Sequence, residues 1–446
     1  MKMISRKVPV WFEKSIIYQI NLRCFTQEGT LRSAERLLPH IKSMGVDIVY
    51  LCPFVMSDDD PDQNGWSRRQ IKSGSLNPKN PYRISDYFTV DPEYGTDDDV
   101  ESFVKTAHEI GLRVMFDLVY MHCGPNAVFL KEHPDFVKHN EDGSIKLTEY
   151  HFPIINFDSA ELRKYLYDNM LYFVRRFDVD GYRCDVGDAC PLDFWIEGSR
   201  RVRELKPDFV MLNEGRNAEA LATCFDANYG FEWGLTLSKI FQDKMKPAEL
   251  RIHWEQDAEN NPKGARMIRW YENHDVANDS YDHRIDVPEN GVKGEAALVL
   301  CYMIDGIPFL YNGNEIADCG RNDFFANRFS KGFHGLDWST VLTERGKHRM
   351  ELVKKLSRMR HANRILTAGK TEWLTNDKED AVISFARVCG KKKVVVLVNM
   401  KNEPVNVTCH LEENVLTEML SSGASFEGGK ELRATLKPFG YLVLKN

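Results

Sequence analysis

The sequence predicts an α/β protein: a closed (β/α)8 barrel with a smaller antiparallel β domain behind it. Three observations carry this. Short apolar runs alternate with amphipathic helical stretches, as consecutive βα units require. Eight such runs precede residue 346, which makes a closed parallel barrel the economical arrangement. After residue 362 the pattern changes to strands of alternating polarity. A chain of 446 residues is too long for one small core and suits a barrel of roughly 250 to 400 residues plus a second domain. The division falls at 1–362 and 363–446.

The strand candidates are 16–20, 46–52, 112–119, 179–185, 209–214, a weaker run at 223–226, then 267–271 and 307–311. Before the third, Thr96-Asp97-Asp98-Asp99 opens a helix in the manner of a capping box, with its acids at the positive end of the helix dipole. After the fourth, Pro191 stands where a helix can begin. A helix near 346–362 ends the barrel pattern. Beyond it, 381–388, 393–399, 405–410 and 441–444 read as strands separated by charged turns.

Composition narrows the partners. A hydrophobic content of 43%, with 8 Trp, 25 Phe and 17 Tyr, is ample for a large core. The formal charge of −7 is dispersed, so no nucleic-acid partner is indicated, and an uncharged polyhydroxylated substrate is compatible with it. Residues 1–12 lack the apolar run of a secretory signal, and no stretch is long and apolar enough to span a bilayer. Ten cysteines occur without a CxxC pair, several of them, Cys52, Cys184, Cys301 and Cys389, inside apolar runs. They read as buried thiols of a reducing, cytoplasmic compartment.

Four segments fall where strand candidates end: Asp117-Leu118-Val119-Tyr120-Met121-His122, Gly181-Tyr182-Arg183-Cys184-Asp185, Leu212-Asn213-Glu214 and Glu272-Asn273-His274-Asp275. In such barrels the loops at the carboxyl ends of the strands build the site. Three carboxylates, Asp185, Glu214 and Asp275, arrive there in order. Cleaving a glycosidic bond takes a nucleophile, an acid for the leaving oxygen, and groups that hold an oxocarbenium-like sugar, and carboxylates supply all three. Arg183 precedes Asp185 by two residues, so both side chains project to the same side of a strand, and the guanidinium favours the ionised carboxylate.

Taken together, these segments resemble the α-amylase superfamily, glycoside hydrolase family 13, over roughly residues 16 to 320. The resemblance implies a TIM barrel closed by a small C-terminal β-sandwich, with 306–312 as its eighth strand. It implies that Asp185 is the nucleophile, Glu214 the general acid/base with a pKa raised by partial burial, and Asp275 the transition-state stabiliser. His122 and His274 match histidines that donate hydrogen bonds to the reacting sugar. In Pro81-Tyr82-Arg83-Ile84-Ser85-Asp86-Tyr87, either Tyr87 or Tyr82 lies under that sugar, and Arg328 matches a later sugar-binding arginine. The implied activity is a retaining α-glycoside hydrolase for α-linked gluco-oligosaccharides. Transglycosylases and isomerases share the scaffold. Non-catalytic binding members also exist, and the surviving carboxylates argue against that reading here.

The departures from the family pattern concern metal and access. Met121, Ile154 and Ala189 stand where calcium-binding members place oxygen-bearing residues, so no calcium site and no other cofactor is expected. The segment of about 123–156 is a short version of a lobe that is larger elsewhere, which implies an open cleft. The loop 53–81 contains Trp66 and leads a basic run, Arg68, Arg69, Lys72, Lys79 and Arg83. It reads either as a solvated surface loop or as a lid whose Trp66 stacks on a sugar ring. Arg83 replaces an Asp with which many exo-acting relatives grip the non-reducing end. Trp195, Phe231, Trp233 and Trp338 are candidates for further subsites or for core. Linkage, chain length and oligomeric state depend on loop positions that the pattern does not encode.

Overall fold

The computed structural model describes residues 2–279, 284–286, 291–331, 333–411, 416–429 and 431–446. Eight parallel strands follow one another around a barrel: β1 (Ile17–Ile20), β2 (Ile48–Leu51), β3 (Arg113–Leu118), β4 (Gly181–Cys184), β5 (Val210–Asn213), β6 (Ala227–Asn228), β7 (Ile268–Arg269) and β8 (Ile307–Tyr311). β1 pairs on both sides, Ile17 lying beside Ile48 and Phe309. A parallel bridge from Asn228 to Met267 joins β6 to the entry of β7.

Residues two apart on the strands point into the lumen: Ile48 and Tyr50, Val210 and Leu212, Ile307 and Phe309 belong to one buried cluster. Their intervening neighbours, such as Tyr18, Val49 and Phe116, face the helices and join the outer core. The lumen is therefore filled with side chains. Toward the carboxyl ends the inward rows change from apolar to polar: Ile17 gives way to Gln19, Met115 to Asp117, and Gly181 to Arg183. That change of chemistry within a row positions the site.

The sixth strand is displaced from the expected 223–226. Thr223 ends a helix, Ala218–Thr223, and the Asp226 carboxylate accepts the Met211 N–H at 2.8 Å and pairs with Arg203 at 2.8 Å. Only Ala227 and Asn228 remain to pair. The helix opened by Thr96 runs Asp97–Glu109, with Asp99 accepting the Thr96 N–H at 2.8 Å, and Pro191 caps Leu192–Leu205.

After the helix Glu344–Ala362, two antiparallel sheets form. Five strands, Lys370–Trp373, Val382–Cys389, Lys392–Asn399, Tyr441–Lys445 and Thr417–Ser421, face three, Val405–His410, Glu431–Leu436 and Ser425–Glu427. Val395, Leu397, Val407, Leu432 and Leu442 form their shared core. Cys389, expected inside, is exposed at the end of its strand.

The loop after β2 is folded, which corrects the solvated reading. Val55–Ser57 pairs antiparallel with Ile84–Val90, and a short helix spans Arg68–Ser73. Arg83 is fully buried and donates to the carbonyls of Gly65, Asp58, Asp60 and Pro78 at 3.0 to 3.2 Å. Lys79 reaches Asp91 at 2.8 Å. The segment 123–156 consists of 3-10 turns and isolated bridges, including His122 to Ile154.

Candidate active site

Arg183 is the hub. Its side chain is fully buried, and Nη1 donates to both oxygens of Asp117 (2.8 and 3.0 Å) and to Asp185 (2.7 Å). Nη2 lies 2.8 Å from Glu214 Oε2, an ion pair without hydrogen-bond alignment. Register explains the convergence. Cys184 pairs with Asn213, so the residues that follow them, Asp185 and Glu214, emerge side by side. The Val186 N–H then donates to Glu214 Oε2 at 2.7 Å. Val186 makes that contact in a left-handed conformation (φ 40°), which is strained for a β-branched residue.

Three carboxylates around one guanidinium leave an excess of negative charge in a buried space. Burial pushes Asp185, Glu214 and Asp117 upward and Arg183 opposes it; repulsion from Glu214 and Asp117 adds to the rise of Asp185, and repulsion from Asp275 and Asp117 to that of Glu214. The cluster thus retains a proton at pH values where isolated carboxylates are ionised, and its titration belongs to the set. Asp117 also accepts from Tyr50 (2.5 Å) and Tyr82 (3.1 Å), and Asp185 has the aligned Arg183 donor. These bonds favour the anionic form of Asp117 and Asp185, as the Val186 N–H does that of Glu214.

A second network stands across the cleft. The Gln19 amide donates to His274 Nδ1 at 2.8 Å, which places the ring proton on Nε2, 2.8 Å from the Tyr82 hydroxyl. Tyr82 passes the polarity on to Asp117 and stacks on His274 with centroids 5.3 Å apart. Burial lowers His274 to about 4, so the ring is neutral at neutral pH. Asp275, with 32% of its side chain exposed, is pushed up by burial and pulled down by His274, Arg69 and Arg183, and it ends below the usual carboxylate range. With His274 uncharged, the standing pull comes from the two arginines. Arg69 Nη2 donates to Asp275 at 2.7 Å and its Nε pairs with Asp279 at 2.8 Å.

The cleft has a volume of about 360 Å3. Asp185, Glu214, Asp275, His122, His274 and Tyr82 line it, joined by Arg69, Tyr150, Phe152 and Phe324, which sequence reasoning did not assign to the site. His122 donates its Nε2 proton to the Tyr82 carbonyl at 2.8 Å, which leaves Nδ1 without a partner, and burial lowers this ring also to about 4.

Three expected residues lie elsewhere. Tyr87 is buried, with its hydroxyl on the His122 carbonyl at 2.9 Å and its ring against Phe129, so it supports the cleft from behind. Trp66 is 2% exposed and donates to the Asp60 carbonyl at 2.9 Å; it anchors the loop and is not a free lid. Arg328 lines a separate crevice, where it donates to the carbonyls of Glu28 and Glu93. Arg83 faces into its loop, as described above. Trp195 and Trp233 are core residues.

The family's calcium positions do not fit a calcium ion. Met121, Ile154 and Ala189 have no side-chain oxygen, and the Met121 carbonyl accepts the Ile155 N–H at 3.2 Å. The acids Asp58, Asp60 and Asp62 instead accept the N–H groups of Asp60, Asp62 and Asn64. Among the described residues no group of three or more His, Cys, Asp or Glu converges on a metal position.

A filled parallel barrel whose upper layer gathers carboxylates around one buried arginine, beside a polar cleft, defines an acid-cluster site of the TIM-barrel class. Known proteins narrow that class. Residues 12–143 match the catalytic domain of α-amylase, and residues 372–443 match the C-terminal domain of maltogenic amylase. The α-amylase MalA of Haloarcula japonica is 25% identical over 425 residues, 90% of this chain and 57% of that protein. The cyclomaltodextrinase of Geobacillus thermopakistaniensis is 23% identical over 448 residues, 93% of this chain and 70% of that protein. The intracellular maltogenic amylase of Bacillus subtilis is 26% identical over 402 residues, 84% and 62% of the two chains. The chain thus spans 57% to 70% of the length of these curated relatives. Among solved structures, the maltogenic α-amylase AmyB of Thermotoga neapolitana superposes with a TM-score of 0.81 at 24% identity, covering 97% of this chain and 99% of that one. At both ends the chain is similar to α-amylase-type proteins, its barrel start to the α-amylase catalytic domain and its C-terminal sheets to the maltogenic amylase C-terminal domain.

Proposed function

We propose that the protein is a retaining α-glycoside hydrolase acting on short α-linked gluco-oligosaccharides. The observation that carries this reading is the pairing of Asp185 and Glu214 at adjacent ends of β4 and β5, both within 2.8 Å of one Arg183. Neighbouring strands lie about 4.8 Å apart, which suits the roughly 5 to 5.5 Å between carboxyls of a retaining site and not the roughly 6.5 to 9.5 Å of an inverting one.

Asp185, ionised against Arg183, attacks the anomeric carbon. Glu214 gives its proton to the departing oxygen, and a glycosyl ester to Asp185 forms. Glu214 then takes a proton from water, the water oxygen bonds to the anomeric carbon, and the ester bond to Asp185 breaks. Asp275 accepts hydrogen bonds from hydroxyls of the reacting sugar, and Tyr82 with His274 forms the platform beneath it. No metal enters these steps. Relatives named maltogenic amylase and cyclomaltodextrinase support a small α-glucan substrate. Ten free cysteines, eight of them buried, suit a reducing compartment, and one relative is named intracellular.

The test is stereochemical. Proton NMR of maltotriose hydrolysis, read before mutarotation, is expected to show the α-anomer as first product. Initial β-product would exclude the ester intermediate and the role given to Asp185.

A further inference from the structure

The segment after β7 is tied to the loop after β2 by a charged bridge. Arg69, on the helix Arg68–Ser73, donates from Nη2 to Asp275 at 2.7 Å and from Nε to Asp279, one helical turn further on, at 2.9 Å. Its guanidinium carbon stands 5.3 Å from the centroid of Phe324, whose ring edges both Tyr82 (5.8 Å) and His274 (5.7 Å). In barrel order β1 and β8 lie between β2 and β7. A contact from the β2 loop to the β7 segment therefore crosses over the ends of β1 and β8 and shuts that side of the cleft.

The bridge is held from behind. Arg83 gathers four carbonyls of the same loop, and the buried Gln70 amide donates to the carbonyls of Asn77 and Pro78 at 3.0 and 3.1 Å. Arg69 arrives on a helix and retains 33% side-chain exposure, and among the described residues its Nη1 makes no hydrogen bond. Arg183 is enclosed beneath the surface, so Arg69 is the arginine that lines the cleft among the described residues. On the other side, Glu214 follows β5, and Tyr150 and Phe152 come from the short segment after β3.

We propose that Arg69 is a specificity-determining residue that closes the glycone end of the cleft, so that the enzyme removes short units from the non-reducing end of its substrate. This rests on the reaction assigned above, in which Glu214 marks the leaving-group side and Asp275 the glycone side. Arg69 touches Asp275 and neither Glu214 nor Asp185, which puts the bridge beyond the reacting sugar on the glycone side. The end grip that relatives build with an Asp, and that this chain lacks at Arg83, is replaced by a wall from further back in the same loop. The remaining Arg69 N–H groups are donors for hydroxyls of the last glycone sugar, while the Asp279 contact holds the side chain in place.

The test compares aryl maltooligosides free or acetal-blocked at the non-reducing end, with the wild type, Arg69→Ala and Asp279→Asn. The wild type is expected to cleave the free substrate at least about tenfold faster in kcat/KM than the blocked one, because a wall excludes the blocking group. In Arg69→Ala that ratio falls toward one. Asp279→Asn, at an exposed position, moves it the same way by less. Equal cleavage of both substrates by the wild type, or an unchanged ratio in both variants, overturns the proposal and leaves the hydrolase reading standing. No cleavage of any α-glucoside by the wild type removes that reading, and the proposal with it.

Discussion

In the proposed mechanism Glu214 bears the proton that three carboxyls around one guanidinium retain. Its acid form is lost as pH rises through a pKa held above the ordinary carboxylate range, so the alkaline limb of kcat/KM lies above that range. Glu214→Gln is expected to spare an aryl glycoside whose leaving group needs no proton while losing at least about a hundredfold on maltotriose, and to abolish the alkaline limb on the aryl substrate. Equal losses on both, with glycosylation limiting for each, would count against Glu214 as the acid. Asp185→Asn is expected to keep the fold and no more than a few per cent of turnover, measured by sugar release and circular dichroism. The convergence of Asp185, Glu214 and Asp275 was legible in the sequence because each follows a strand that ends at the same face of the barrel, with Arg183 on the strand two residues before Asp185. Tyr82 and Tyr87 were not separable there: they lie five positions apart in one motif, and only packing turns Tyr87 toward Phe129 and Tyr82 toward His274. Arg69 was hidden by distance along the chain, since its partner Asp275 is 206 residues away.

At the level of elements, the loop after β2 behaves as a built wall because one side chain satisfies four of its carbonyls. Arg83→Met retains the apolar stem and removes the donors, leaving buried carbonyls unpaired. The expected cost is roughly 2 to 4 kcal/mol, read as a lowered Tm with faster proteolysis within 53–81; an unchanged cleavage pattern would show that the loop is held by other contacts. The sequence marked this run as basic and could not distinguish a solvated arginine from a buried one, because the four acceptors are backbone atoms and leave no trace in residue types. The weaker sixth strand was misplaced for a similar reason: Asp226 looks like a strand-end acid and is used to tie Met211 and Arg203. Element chemistry also bears on metal. With Met121, Ile154 and Ala189 at the family's calcium positions, EDTA is expected to change neither Tm nor activity. A drop of several degrees that calcium restores would place a cation elsewhere, with Asp58, Asp60 and Asp62 the first residues to substitute.

The whole molecule closes where its first and last barrel strands meet, and a single carboxylate sits in that seam. Glu315, fully buried just after β8, accepts the Tyr18 hydroxyl of β1 at 2.6 Å and the Gly313 N–H at 2.9 Å. Burial raises it to about 7, against these hydrogen bonds. A carboxyl whose folded pKa exceeds its unfolded value of about 4.3 adds stability that is complete below the unfolded value and is lost as pH rises through the folded one. His122 and His274 act in the opposite sense: lowered to about 4 from about 6.5, they add stability above 6.5 that is lost as pH falls toward 4. The wild-type profile therefore blends opposing slopes between pH 4 and 7, and a difference measurement is needed to isolate the seam. Glu315→Gln mimics the protonated carboxyl at every pH, and the Tyr18 hydroxyl can reverse to accept from the amide. The Tm of the variant minus that of the wild type is expected to be near zero at pH 4.5, to grow through pH 7, and to level off above it. A difference independent of pH would mean that Glu315 does not change protonation in the folded barrel, and that the first and last strands are joined by packing and ladder hydrogen bonds alone.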